Sequence, residues 1–169
     1  MGRWKYSNRL TTDECKSVTI KFLNDHHYFD GGTLSGGMNW SRNGQTTGSI
    51  RFVVSTVEGD EYIRFQYTQT DGSTGEKTKL DYKARLAWTT CYFGGRRWWF
   101  VCPLNVNGRN CGRRVGIMYL GCKYFGCRHC NNLTYESSKE SHKFDKLFMG
   151  IPPKVVNAFF RRARLKKER

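Results

Sequence analysis

The sequence has no apolar run approaching the roughly 18 residues that a membrane-spanning helix requires, which excludes a helical transmembrane segment. Its first residues, MGRWKYSNRLTTDECK, hold no apolar stretch suited to a secretory signal, so a cytoplasmic location is expected. Acid is scarce in the second half. Residues 91–169 carry only Glu136, Glu140, Asp145 and Glu168, too few for the clustered carboxylates of metal-dependent nuclease or phosphatase sites. No Walker loop, GxSxG or HExxH occurs, nor is a Glu placed as zinc deaminases place theirs. Seven cysteines is an odd number. In a reducing compartment a disulfide framework is not expected, and metal ligation is the natural use of the clustered ones.

At 169 residues the chain has the length of one compact unit, or of a small domain with an appendage. Aromatic residues make up 15%, so burial leans on bulky rings, which suit strands better than bundled helices. The net charge of +15 is uneven. Residues 1–90 hold 12 Lys and Arg against 10 Asp and Glu, whereas residues 91–169 hold 17 against 4. Such a concentrated positive field attracts polyanions, chiefly nucleic acid and secondarily anionic membranes or acidic protein surfaces.

Thr11 and Glu14 form a capping-box pattern, and short helices are expected across residues 12–27. After Asp30-Gly31-Gly32, the residues Leu34, Gly36, Met38 and Trp40 alternate with polar neighbours as a strand would. Asn43-Gly44 supplies a hairpin turn into a second strand marked by Ile50, Phe52 and Val54. A third strand turns Ile63, Phe65 and Tyr67 inward. The fourth has the longest period-2 pattern, with Leu80, Tyr82, Ala84, Leu86 and Trp88 on one face and Lys79, Asp81, Lys83, Arg85 and Ala87 on the other. A fifth, from Arg96 to Val101, follows Gly94-Gly95 and leads into Cys102. Ser137 and Glu140 form a second capping-box pattern, opening a helix to about Met149. Another starts at Pro152-Pro153 with an apolar stripe through Val155, Val156, Phe159 and Phe160. The expected fold is α+β: N-terminal short helices and an antiparallel meander (1–101), a four-cysteine zinc ribbon packed on the sheet (102–135), and a basic C-terminal helical hairpin (136–169).

Cys102-Pro103 and Cys111-Gly112 make an expanded pair, and Cys127-Arg128-His129-Cys130 a tight one, separated by strand-like residues 115–120 and 123–125. A zinc ribbon needs two hairpin tips, each presenting two thiolates to one tetrahedral ion. The expected ligands of one structural Zn²⁺ are therefore Cys102, Cys111, Cys127 and Cys130. Cys15, Cys91 and Cys122 have no partner at ligand spacing, Cys122 being the one rival ligand because it lies in the hairpin between the tips, and the CxxC turn points His129 away from the metal. With four thiolates closing the shell, no catalytic position stays open. His26-His27 reads as an exposed polar terminus.

The second constellation pairs guanidinium groups with flat rings at Arg96, Arg97 and Trp98, with Arg113 and Arg114 after the first knuckle and Lys123 and Arg128 around the second. Such groups suit phosphates and exposed bases. One of Trp98 and Trp99 is expected in the core. Arg161, Arg162 and Arg164 would extend the footprint along the terminal helix.

The segments GGRRWWFVCP, CGRRVGIMYL and YFGCRHCNNLTYES resemble a family of bacterial proteins, uncharacterised in activity and often encoded near mobile elements, over roughly residues 88–140. The resemblance implies the ribbon and its four ligands, and names no substrate. In those relatives a Gly-rich turn stands where this chain has Gly121-Cys122-Lys123, which implies that Cys122 is incidental. The expected function is non-enzymatic binding of DNA or RNA. The alternative is an adaptor or inhibitor docking on a nucleic-acid-processing enzyme.

Overall fold

The computed structural model describes residues 9–71 and 75–140. In chain order the elements are β1 (Lys16–Thr19), α1 (Ile20–Asp25), β2 (Thr33–Arg42), β3 (Gln45–Ser55), β4 (Tyr62–Thr70), β5 (Lys77–Thr90), β6 (Arg96–Val101), β7 (Asn105–Val106), β8 (Arg109–Asn110), β9 (Arg114–Val115), β10 (Ile117–Leu120) and α2 (Glu136–Glu140). Two compact units are present, Met1–Thr134 and Tyr135–Arg169, and the sheet and the cysteine-bearing hairpins share the first.

The meander is the fold. A six-stranded sheet runs β2-β3-β4-β5-β6-β9, every neighbouring pair antiparallel. Asn43 and Gly44 take φ of 52° and 78°, the left-handed pair that a two-residue hairpin turn demands. Period-2 burial follows from one face being covered and the other solvated. On the covered face Phe52 lies opposite Phe65, Val54 opposite Ile63, and Leu86 opposite Phe100; all six are buried. A separate pair, β1 with β10, sets Val18 opposite Met118, both fully buried.

The expected α+β class is corrected. Among the described residues strand accounts for 53% and helix for 7%, the helices being two short ones in a mostly β structure with a curled antiparallel sheet. At the N-terminal side, Glu14 does accept the Thr11 N–H at 2.8 Å, as a capping box requires, yet a turn follows instead of a helix. Residues 16–19 are drawn into pairing with β10, so tertiary contact overrides the local cap. Helix starts only at Ile20, where the Thr19 hydroxyl accepts the Phe22 N–H at 3.0 Å. At the other end α2 begins at Glu136, which puts Ser137 inside the helix rather than at its cap. No C-terminal helical hairpin stands among the described residues, since the segments expected to build it lie outside them beyond Glu140. Among the described residues no helix is long and apolar enough to cross a membrane.

What positions the cysteine hairpins is an aromatic plug. Phe125 is fully buried, stacked on Phe65 at 4.8 Å between centroids and edge-on to Tyr67 at 5.7 Å. Burying a ring of this size stabilises the fold by about 1.5–3 kcal/mol. Around the plug, the Tyr67 hydroxyl donates to the Lys123 carbonyl at 2.7 Å, and the Tyr82 hydroxyl accepts the Phe125 N–H at 2.7 Å. Two sheet tyrosines thus satisfy the backbone of a turn that would otherwise bury polar groups without partners. Burial pushes both phenols above their ordinary pKa; at Tyr82 the bonds from Tyr67 and Phe125 oppose the rise.

Candidate metal centre and basic face

Each cysteine is placed by a strand end or a turn. Strand β6 ends at Val101, and the Cys102 N–H donates to the Arg113 carbonyl at 2.9 Å while Cys102 accepts the Gly112 N–H at 3.2 Å. Between these bonds the chain makes an excursion, which is a small hairpin in its own right. Strands β7 and β8 pair across Asn107-Gly108, whose φ values of 52° and 75° give the same turn as Asn43-Gly44. The Cys111 N–H closes it onto the Leu104 carbonyl at 2.9 Å. The second tip comes from β10: Tyr119 and Gly126 exchange backbone bonds of 2.8 and 3.0 Å, and Cys127 follows. Gly126 allows the two tips to meet. A Cβ there would lie 2.7 Å from Leu104 Cγ, so glycine lets the first tip pack on the second without displacing that side chain.

The four sulfurs converge. Cys102 Sγ lies 3.8 Å from Cys130 Sγ, Cys111 Sγ lies 3.8 Å from Cys127 Sγ, and all four fall within 4.8 Å of one another. Backbone donors aim at them: the Cys127 N–H at Cys102 Sγ (3.3 Å) and the Cys130 N–H at Cys127 Sγ (3.4 Å). Cys102 and Cys127 are buried; Cys111 and Cys130 are half-buried. Burial raises the Cys102 thiol pKa, against the Cys127 and Leu104 N–H groups that favour its thiolate. Burial raises Cys130 strongly, and its bonds to Cys111 and Cys127 push the same way. At Cys111 burial also acts upward, but the Arg113 N–H and the neighbouring thiols outweigh it and hold the thiol below its ordinary value. Negative charges this close repel, so the set ionises fully only around a cation. These four cysteines can hold a metal ion.

Cys15, Cys91 and Cys122 stand outside the cluster. His129 is exposed, with Nε2 at 3.4 Å from Arg128 Nη2, and is not among the clustered ligands.

The arginines expected from sequence are distributed differently. Arg96, Arg97, Arg113, Arg114 and Lys123 are exposed. Arg128 is half-buried and donates to the Leu133 carbonyl at 3.2 Å, which commits it to closing the second knuckle. Trp98, placed by sequence among the contact residues, is instead core: 7% exposed and stacked on Phe29 at 5.1 Å. Arg161, Arg162 and Arg164 lie outside the described residues.

Register shows which cations share a face. Thr89 pairs with Arg97, Ala87 with Trp99 and Val101 with Arg114, while Arg85 pairs with Tyr62 and Lys83 with Arg64. Paired residues point to the same side. The solvated face therefore carries Lys83, Arg85, Arg97 and Arg114 around the half-buried Trp99. Arg97 lies over the Trp99 ring, 4.3 Å from its centroid, and Lys83 over Tyr62 at 3.7 Å. Arg64 is paired with Asp81 at 2.6 Å. Lys83, Arg85 and Trp99 were not singled out as contacts from sequence, although the alternation of β5 already assigns the first two to the outer face.

No protein-family model, no curated protein and no solved structure matches this chain.

Proposed function

We propose that the protein is a non-enzymatic zinc-ribbon protein that binds nucleic acid. For the metal, the support is the donor set. A tetrahedral zinc shell with bonds of about 2.3 Å has sulfur-to-sulfur edges of about 3.8 Å, and two of the sulfur pairs stand at 3.8 Å. Four thiolates are zinc's usual structural complement, and the ion would supply charge neutralisation and cross-linking rather than a reactive water. The chain's part is to hold the two tips in register through Gly126, the knuckle N–H groups and the Tyr67 and Tyr82 hydroxyls.

One observation carries the nucleic-acid reading: no Asp or Glu occurs from residue 82 through 135, a stretch with nine Lys and Arg. The outer-face cations Lys83, Arg85, Arg97 and Arg114 all belong to it. A guanidinium stacked on an indole keeps its in-plane N–H edge toward solvent, where a phosphate can take two bonds at once. Because β6 and β9 lead into and out of the first knuckle, the metal fixes the spacing of Arg97 and Arg114.

A salt titration tests this. Anisotropy of labelled single-stranded and duplex oligonucleotides should show affinity falling linearly with log salt. Replacing Arg85, Arg97 and Arg114 together by alanine should shallow the slope by about 2 to 3 units. No binding even at low salt overturns the reading, and an unchanged slope removes these arginines from the contact. A host partner retained after nuclease digestion, with no affinity for oligonucleotides, would instead favour a protein-docking module.

A further inference from the structure

The β5–β6 hairpin ends in Cys91-Tyr92-Phe93-Gly94-Gly95, a tight turn. The Gly94 N–H donates to the Cys91 carbonyl at 3.0 Å and the Cys91 N–H to the Gly95 carbonyl at 3.1 Å. Gly94 and Gly95 take φ of 84° and 85°, which glycine adopts without strain and which return the chain at once to β6. Tyr92 and Phe93 are left at the two corners. Each is 97% exposed, and their rings meet edge to face at 5.1 Å with planes 89° apart.

Corners of this kind normally carry Gly, Asn, Asp, Ser or Pro, as Asn43-Gly44 and Asn107-Gly108 do here. Two rings this exposed bury almost nothing, so they contribute little to stability. Adjacent aromatics on a polar surface mark a contact with something else.

The surroundings indicate what. Directly behind the tip, Arg96 lies over the Trp88 ring at 4.5 Å and Arg97 over Trp99 at 4.3 Å. Arg96 pairs with Thr90 and Arg97 with Thr89, so the two guanidiniums occupy opposite faces of the ribbon. The hairpin contains no carboxylate beyond Asp81. Flat rings in front with stacked cations on either side match a strand whose bases are free to stack and whose phosphates follow behind. Duplex bases are already stacked on one another and offer no open faces. Two rings alone are also a weak bilayer anchor, since stable anchoring needs a larger apolar surface.

We propose that Tyr92 and Phe93 form a stacking wedge for unpaired bases, making the preferred partner a single strand or a locally opened duplex. This rests on the nucleic-acid reading above and gives it a substrate class.

The test uses the full chain, fluorescein-labelled single strands, the matching duplex, and single strands carrying 2-aminopurine. Tyr92→Ala combined with Phe93→Ala should lower single-strand affinity by about tenfold or more. Duplex affinity and the salt slope should stay unchanged. Wild-type protein should quench 2-aminopurine fluorescence, the double variant should not, and Tyr92→Phe should retain the quenching. An unchanged melting temperature shows that the variant is folded, as expected for residues at such exposure. If wild-type protein binds no oligonucleotide, the nucleic-acid reading fails and the wedge with it. If it binds but the double variant loses nothing, or loses single strand and duplex equally, the wedge is overturned and the reading stands. Cosedimentation with phosphatidylserine vesicles that depends on these two rings, without an effect on oligonucleotides, also overturns it.

Discussion

The backbone N–H of Phe125 donates to the Tyr82 hydroxyl at 2.7 Å, and through this bond the sheet grips the second cysteine-bearing hairpin two residues before Cys127. The same phenol lies 3.3 Å from the Tyr67 hydroxyl, which holds the Lys123 carbonyl. Sheet and ribbon are thereby one mechanical body, and the arginine-bearing strands inherit their spacing from both.

Tyr82→Phe keeps the ring and removes the acceptor, leaving the Phe125 N–H buried without a partner. The expected cost is about 1–3 kcal/mol in urea unfolding. A change well under this range would mean that the bond does not hold the hairpin.

Alkaline pH should weaken the same joint. Tyr67 and Tyr82 both have pKa values raised by burial, so the folded protein holds their protons more tightly than the unfolded chain. Their contribution is fully present below the unfolded tyrosine pKa of about 10 and is lost as pH rises beyond it. Thermal melts across that range should fall steeply for the wild type and less steeply for Tyr67→Phe; parallel curves would contradict the assignment.

Gly126→Ala should destabilise the protein by about 1–3 kcal/mol, because the new methyl group meets Leu104. Leu104→Ala in the same chain should recover part of that loss, giving a favourable coupling in a double-mutant cycle. Strict additivity of the two substitutions would show that the tips do not pack as described.

The two adjacent tryptophans should separate stability from binding. Trp98→Leu removes a buried ring stacked on Phe29 and should cost about 2 kcal/mol or more of stability. Trp99→Leu should cost less, yet weaken oligonucleotide binding about two- to fivefold by removing the platform under Arg97. Reversed effects would exchange their roles.

The meander could be read from the sequence because each strand of β3–β5 has one dry and one wet face, which writes a period of two directly into residues such as Ile63, Arg64 and Phe65. The cysteine spacing was legible for a similar reason, since Cys127 and Cys130 flank a tight turn. Less visible was the excursion after Cys102, although Asn107-Gly108 carries the same turn signal as Asn43-Gly44. The Thr11 capping pattern misled because Val18 gains more by pairing opposite Met118 than a helix offers it. Nothing local in Tyr67 or Tyr82 announces a bond to backbone more than 40 residues away, at Lys123 and Phe125. Trp98 and Trp99 differ only in which face their strand position gives them.

The central claim is that Cys102, Cys111, Cys127 and Cys130 clamp one metal ion. Elemental analysis of protein purified without added metal tests it most directly, with Cys127→Ser and Cys122→Ser measured alongside. The account predicts one zinc per chain in the wild type and in Cys122→Ser, and a substoichiometric amount in Cys127→Ser. Metal-free wild-type protein, or full zinc in Cys127→Ser, would contradict it.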